Sequence, residues 1–188
     1  RGNGSLTGSN NVAFGTYALQ QLTSGTYNFS ALSYSGCEIS SGYSNITIGE
    51  YAGSAITSGH NNVYLGSMAG RCNANDRNIF IGQCAGREAL DTNNGTYIGY
   101  AAGRCMCCGN NNIAIGNAAL RGSSTVSSNT GNTNTVLGHN AGYYVSSGSC
   151  NAFLGCGAGM YTTTGNFNTF AGNCAGCCNT SGCHNVVI

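Results

Sequence analysis

A five-residue phrase returns along this 188-residue chain at a main interval of 17, and it constrains the fold more than any other feature. Asn11-Val12-Ala13-Phe14-Gly15 is answered by Asn45-Ile46-Thr47-Ile48-Gly49 and by Asn62-Val63-Tyr64-Leu65-Gly66. The phrase comes back at Asn112, Asn134, Asn151 and Asn168, each time closed by glycine. Periodicity of this length means a stack of similar units, each unable to bury its apolar side without its neighbours. The closing glycines stand at 15, 49, 66, 82, 99, 116, 138, 155 and 172, with Leu32 in the slot of a degenerate copy. The interval shortens to 16 between Gly66 and Gly82 and lengthens to 22 between Gly116 and Gly138.

Within each phrase the three residues before the glycine alternate with period two, which is the strand signal. The unit is too short for a helix pair or a propeller blade, and it suits one coil of a solenoid. The expected fold is therefore all-β: a parallel β-solenoid or β-roll of about eleven 17-residue coils. Residues 1–188 read as a single repeat array and as a segment of a longer fibrous protein. Asparagine opens nearly every trio, at Asn11, Asn28, Asn45, Asn62, Asn78, Asn112, Asn134, Asn151, Asn168 and Asn185, with Gly95 as the exception. Stacked amides can bond up such a column and cap the turn backbone, so these residues are expected to be structural. Asn28 and Asn45 also open glycosylation patterns, but they belong to this column. Alanine three places after the closing glycine suits a tight corner.

The aliphatic first and third residues of each trio, such as Ile46 and Ile48, are expected to face inward. The middle residue would then face water and form an apolar stripe, the mark of an interface. That places Tyr64, Phe80, Tyr97, Val136, Phe153 and Phe170 at the interface of a homotrimer. The long interval carries five extra residues within 121–129. This segment should bulge at a corner, with Gly122, Ser123, Ser124, Thr125 and Val126 as a possible contact loop.

Only 6% of the chain is charged, with a formal net charge of +1, and the six basic residues, all arginine, lie scattered along it. Nothing here is a footprint for nucleic acid. No apolar run reaches the roughly 18 residues that span a bilayer, so membrane insertion is not expected. The five acids do not pair at spacings for acid–base catalysis, and His60, His139 and His184 stand apart. The chain is not expected to be an enzyme, and no catalytic residue, metal ligand or cofactor is assigned. The twelve cysteines admit three readings. They could form disulfides between coils or chains, build thiolate sites at Cys105/Cys108 and Cys174/Cys177, or fill small half-buried positions.

The repeated phrase, with its Ala-Gly and Thr-Ser-Gly followers, resembles the repeats of bacteriophage tail fibres. Its cysteine-rich form is similar to virion structural proteins of marine cyanophages, and the phrase is related in pattern to the heads of trimeric autotransporter adhesins. The resemblance implies a structural fibre shaft in a virion appendage or on an extracellular surface. Such a shaft would self-associate as a trimer and support host attachment through a receptor bound elsewhere on the fibre. The alternatives are a bacterial cell-surface trimeric adhesin and, more remotely, an ice-binding solenoid. The last would use hydroxyl columns at Thr23, Ser40 and Thr57 and at Ser146, Thr163 and Thr180.

Overall fold

In the computed structural model, which describes residues 7–188, eleven short strands stack in chain order into one parallel sheet. They are β1 Val12–Phe14, β2 Phe29–Ala31, β3 Ile46–Ile48, β4 Val63–Leu65, β5 Ile79–Ile81 and β6 Thr96–Ile98. The rest are β7 Ile113–Ile115, β8 Thr135–Leu137, β9 Ala152–Leu154, β10 Thr169–Ala171 and β11 Val186–Val187. The chain is a β-solenoid of about ten turns, the number between eleven stacked strands. A single short 3₁₀ turn, Val126–Ser128, is the only helical element among the described residues. Register is kept through both irregular intervals: Val63 sits beside Ile79, and Ile113 beside Thr135.

The inward and outward faces are opposite to the sequence expectation. The middle residues Tyr64, Phe80, Tyr97, Val136, Phe153 and Phe170 are buried inside a single chain, so none of them can form a trimer interface. The flanking aliphatics face outward instead. The asparagine column explains why. Asn45, Asn62 and Asn112 are fully buried, and side chains alternate along a strand. The residue two places after an inward asparagine must therefore also point inward, which is the middle of the trio.

The asparagines form a ladder in two runs, Asn11 to Asn78 and Asn112 to Asn185, separated by the coil in which Gly95 takes the slot and donates its N–H to Asn78 Oδ1. Nδ2 of Asn45 donates to Oδ1 of Asn28 at 3.0 Å and to the carbonyl of Gly59 at 2.8 Å. In turn, Oδ1 of Asn45 accepts from the backbone N–H of Asn62 at 3.1 Å and from its Nδ2 at 3.0 Å. Every polar atom of a buried amide thus finds a partner, as burial requires. The same wiring engages Asn28, whose amide nitrogen bonds Asn11 Oδ1 and Gly42 O, so neither sequon asparagine presents a free side chain.

The interior is narrow, and its side chains compensate one another in volume. Small Ser30 and Thr47 go with Ile39 and Ile56, whereas Tyr64 and Phe80 go with Asn73 and Ala89. Tyr64 donates its hydroxyl to Asn73 Oδ1 at 2.8 Å. Where the trio centre is alanine, at Ala13 and Ala114, the left-handed position that is usually glycine holds Leu19 or Leu120, which turns into the core. Elsewhere that position must be glycine. A Cβ on Gly86, at φ +55, would lie 2.5 Å from the ring of Phe80. The rings of Tyr64, Phe80 and Tyr97 stack face to face at 4.9 and 4.8 Å. The closing glycines have a separate constraint. Gly82 sits at φ +126, and a Cβ there would stand 2.5 Å from the carbonyl oxygen of Gly99 in the next coil.

The extra residues leave the wall at one corner. Asn129 is buried and closes the base of the loop, accepting from the backbone N–H of Ser123 at 3.1 Å and donating to Cys105 O at 2.8 Å. Gly122 is part of the wall, its N–H bonded to Tyr143 O at 3.1 Å, so of the five expected loop residues only Ser123, Ser124, Thr125 and Val126 belong to the bulge. Deleting residues 124–128 should restore a 17-residue interval and leave the coil count unchanged. Shortening a loop changes closure entropy by less than about 1 kcal/mol. A thermal melt displaced by more than several degrees would show that the bulge supports the core.

Candidate functional site

Three surface features could carry chemistry or recognition. The first is the outer face of the sheet. Its two outward columns are apolar for most of their length, and Ile79 and Ile113 are each 40% exposed, Leu154 53% and Phe14 64%. The strands are three residues wide, and parallel spacing of about 4.8 Å makes the face on the order of 50 Å long and about 10 Å wide.

The second feature is a corner away from the strands. Four of the six arginines occupy one position, the fifth residue after the closing glycine, in four successive coils: Arg71, Arg87, Arg104 and Arg121. The backbone sets this alignment. Cys72 N–H donates to Arg87 O at 3.0 Å, Glu88 N–H to Arg104 O at 2.7 Å and Cys105 N–H to Arg121 O at 2.8 Å. The arginines are therefore scattered along the sequence but aligned in space. Arg71 lies over the ring of Tyr51 at 5.5 Å, and Arg121 over Tyr143 at 5.1 Å. Between them, Oε1 of Glu88 stands 3.9 Å from Arg87 Nε and 3.7 Å from Arg104 Nη2. Tyrosine ladders extend the strip at both ends. Tyr34 stacks on Tyr51 at 4.8 Å with Tyr17 tilted against Tyr34 at 4.9 Å, and Tyr144 stacks on Tyr161 at 5.2 Å.

The third feature is the set of twelve cysteines, all present as thiols. The pairs expected from spacing, Cys105 with Cys108 and Cys174 with Cys177, are not the pairs in closest contact. Cys107 Sγ and Cys108 Sγ lie 2.9 Å apart, and Cys177 Sγ and Cys178 Sγ 3.4 Å apart. Cys105 donates to Oε2 of Glu88 at 3.3 Å. Among the described residues no three His, Cys, Asp or Glu side chains gather closely enough to hold a metal ion. Burial, followed by its contact with Glu88, pushes the Cys105 thiol up to about 11, and burial raises Cys107 to about 11 as well. A thiol alkylates as its thiolate, so both should stay protonated and slow at pH 8. With iodoacetamide on the folded chain, the exposed Cys150, Cys156, Cys174 and Cys183 should be modified first. Equal rates for Cys105 and Cys150, read by peptide mass spectrometry, would contradict this arrangement.

His60 is not isolated. Its Nδ1 lies 3.0 Å from Asp76 Oδ1, and its ring stacks on Tyr43 at 4.5 Å. The hydroxyl columns are wired into the wall. Thr23 and Ser40 donate to the carbonyls of Ser40 and Thr57, and Ser146 and Thr163 to those of Thr163 and Thr180, at 3.0 to 3.2 Å. Each of these hydroxyls has its one proton engaged in the wall and keeps acceptor lone pairs. No helix among the described residues is long and apolar enough to cross a membrane. Set against protein families, curated proteins and solved structures, the chain matches none.

Proposed function

We propose that this chain is a non-enzymatic structural rod, a stretch of fibre shaft in a virion appendage such as a tail fibre, which assembles side by side with copies of itself as a homotrimer. The observation that carries this reading is the continuous outward apolar face of the sheet. The face measures roughly 500 Å² per chain from strand spacing. Three such faces packed around a common axis would bury about 1,500 Å² over the whole trimer, the scale of a specific assembly. The occupant that fits it is a second copy, because an identical flat face repeats the coil spacing over its full length.

The test is sedimentation equilibrium on the whole chain, with an expected mass of three chains. Placing lysine at Ile46, Ile79 and Ile113 puts three charges on that face. The variant should sediment as one chain with an unchanged far-UV spectrum, because these side chains do not build the core. A wild-type monomer would reject the assembly. The virion assignment is tested by searching purified virions for peptides of this chain. Finding them only in cell envelopes would favour the surface adhesin instead.

A further inference from the structure

The four arginines create an electrostatic feature that a passive shaft does not need. They stand one per coil, so their charges repeat at about the 4.8 Å of strand stacking. One carboxylate, that of Glu88, serves the two middle arginines at distances beyond a normal hydrogen bond. The Nε atoms of Arg87 and Arg104 are buried and have no hydrogen-bond partner. Buried donors left open in this way are costly unless something meets them. The outer two arginines have no carboxylate within ion-pair distance among the described residues, and each is oriented by a tyrosine face.

Two grooves open on the same corner. One, of about 490 Å³, is bordered by Arg104, Arg121, Tyr100, Tyr143 and Tyr144. The other, of about 300 Å³, is bordered by Arg71, Tyr34, Tyr51, Ser54 and Glu38. The strip as a whole runs from a tyrosine ladder through a file of guanidinium groups to a second tyrosine ladder. A partner that lies along it must be linear and anionic in its middle part, with faces that stack on phenol rings.

We propose that this corner binds an acidic polysaccharide laid parallel to the rod axis. Its carboxylates would meet the guanidinium groups of Arg71, Arg87, Arg104 and Arg121, and its sugar rings would rest on Tyr34, Tyr144 and Tyr161. Guanidinium and carboxylate match as paired donors and acceptors. A phenol offers an apolar face together with a hydroxyl, which suits a hydroxylated ring. Nucleic acid fits less well, because a chain with a net charge of +1 lacks the broad basic field that such a dense polyanion selects. The site lies outside the strands and does not depend on how copies of the chain associate.

The experiment is calorimetric titration of the folded chain with oligogalacturonate, with neutral dextran and single-stranded oligonucleotide in parallel. Oligogalacturonate should bind with an affinity that falls as salt rises, and dextran should not bind. Arg71→Gln with Arg121→Gln should weaken binding by roughly tenfold per arginine, the value of a charge-assisted bond. A control that needs no variant is phenylglyoxal modification. Oligogalacturonate should protect the four aligned arginines but not Arg77, which lies on another corner beside the asparagine column. Absence of oligogalacturonate binding at low salt, equal protection of Arg77, or tighter binding of the oligonucleotide would each overturn the proposal. Loss of trimerisation with binding intact would overturn only the fibre assembly.

Discussion

Replacing Phe80 with alanine should destabilise the rod by about 3–5 kcal/mol, the usual cost of removing a buried aromatic ring from a core. Phe80 is fully buried and stacked between Tyr64 at 4.9 Å and Tyr97 at 4.8 Å. The lost space cannot be reclaimed easily. Ala89 and Ala85 already line it, and the coils on either side are held in register by β4 and β6. Each stacked pair contributes about 0.5–1.5 kcal/mol beyond its buried area. In a stack whose units touch only their neighbours, damage stays local. Hydrogen exchange should therefore accelerate around β4 to β6 first, while β9 and β10 keep their protection. If the variant kept its stability but lost self-association, Phe80 would be an interface residue and the interior would be assigned to the wrong face.

Asn45→Ala should cost roughly 3 kcal/mol or more, although it removes only a small polar side chain. The change strands Gly59 O, which accepts from its Nδ2, and the backbone N–H of Asn62, which donates to its Oδ1, and it takes one bond each from Asn28 Oδ1 and Asn62 Nδ2. Each buried group left without a partner costs about 1–3 kcal/mol. Neighbouring asparagines cannot move in to replace it, because each already bonds the coil on either side. The matching control is Asn173→Ala, an exposed asparagine outside the column. It should shift stability by no more than about 0.5 kcal/mol. Urea melts of both variants decide the matter. Equal, small effects would mean that the ladder follows the fold and does not hold it.

The parallel stack, the asparagine column and the place of the insertion are all legible in the tandem intervals of the chain. Which side of the strand faces in is not. Alternation of Ile46, Thr47 and Ile48 has two phases, and residue character favours the wrong one, since two aliphatics flank a threonine. The deciding clue lies in the sequence but needs a packing argument: Asn45 is inward, and Thr47 shares its parity. The paired changes Ala13 with Leu19 and Ala114 with Leu120 carry the same information about a shared interior. The arginine file is also present as intervals of 16, 17 and 17. It stays hidden when charge is judged along the chain and not coil by coil.

The sequence by itself determined how often the chain turns, because a fixed interval between glycines and asparagines sets the length of each coil whatever its contents. It also determined that insertions must leave at corners, since a wall residue out of step would break the ladder above and below. Only the tertiary structure decided what each wall faces. A three-residue strand over a narrow interior has room for one inward side chain, and packing gave that place to Tyr64, Phe80 and Tyr97 while turning the aliphatics of the sheet outward. The same stacking placed four arginines, sixteen or seventeen residues apart in the chain, each within one coil of the next. Charge and stacking act through distance in space, and the winding of the solenoid sets that distance.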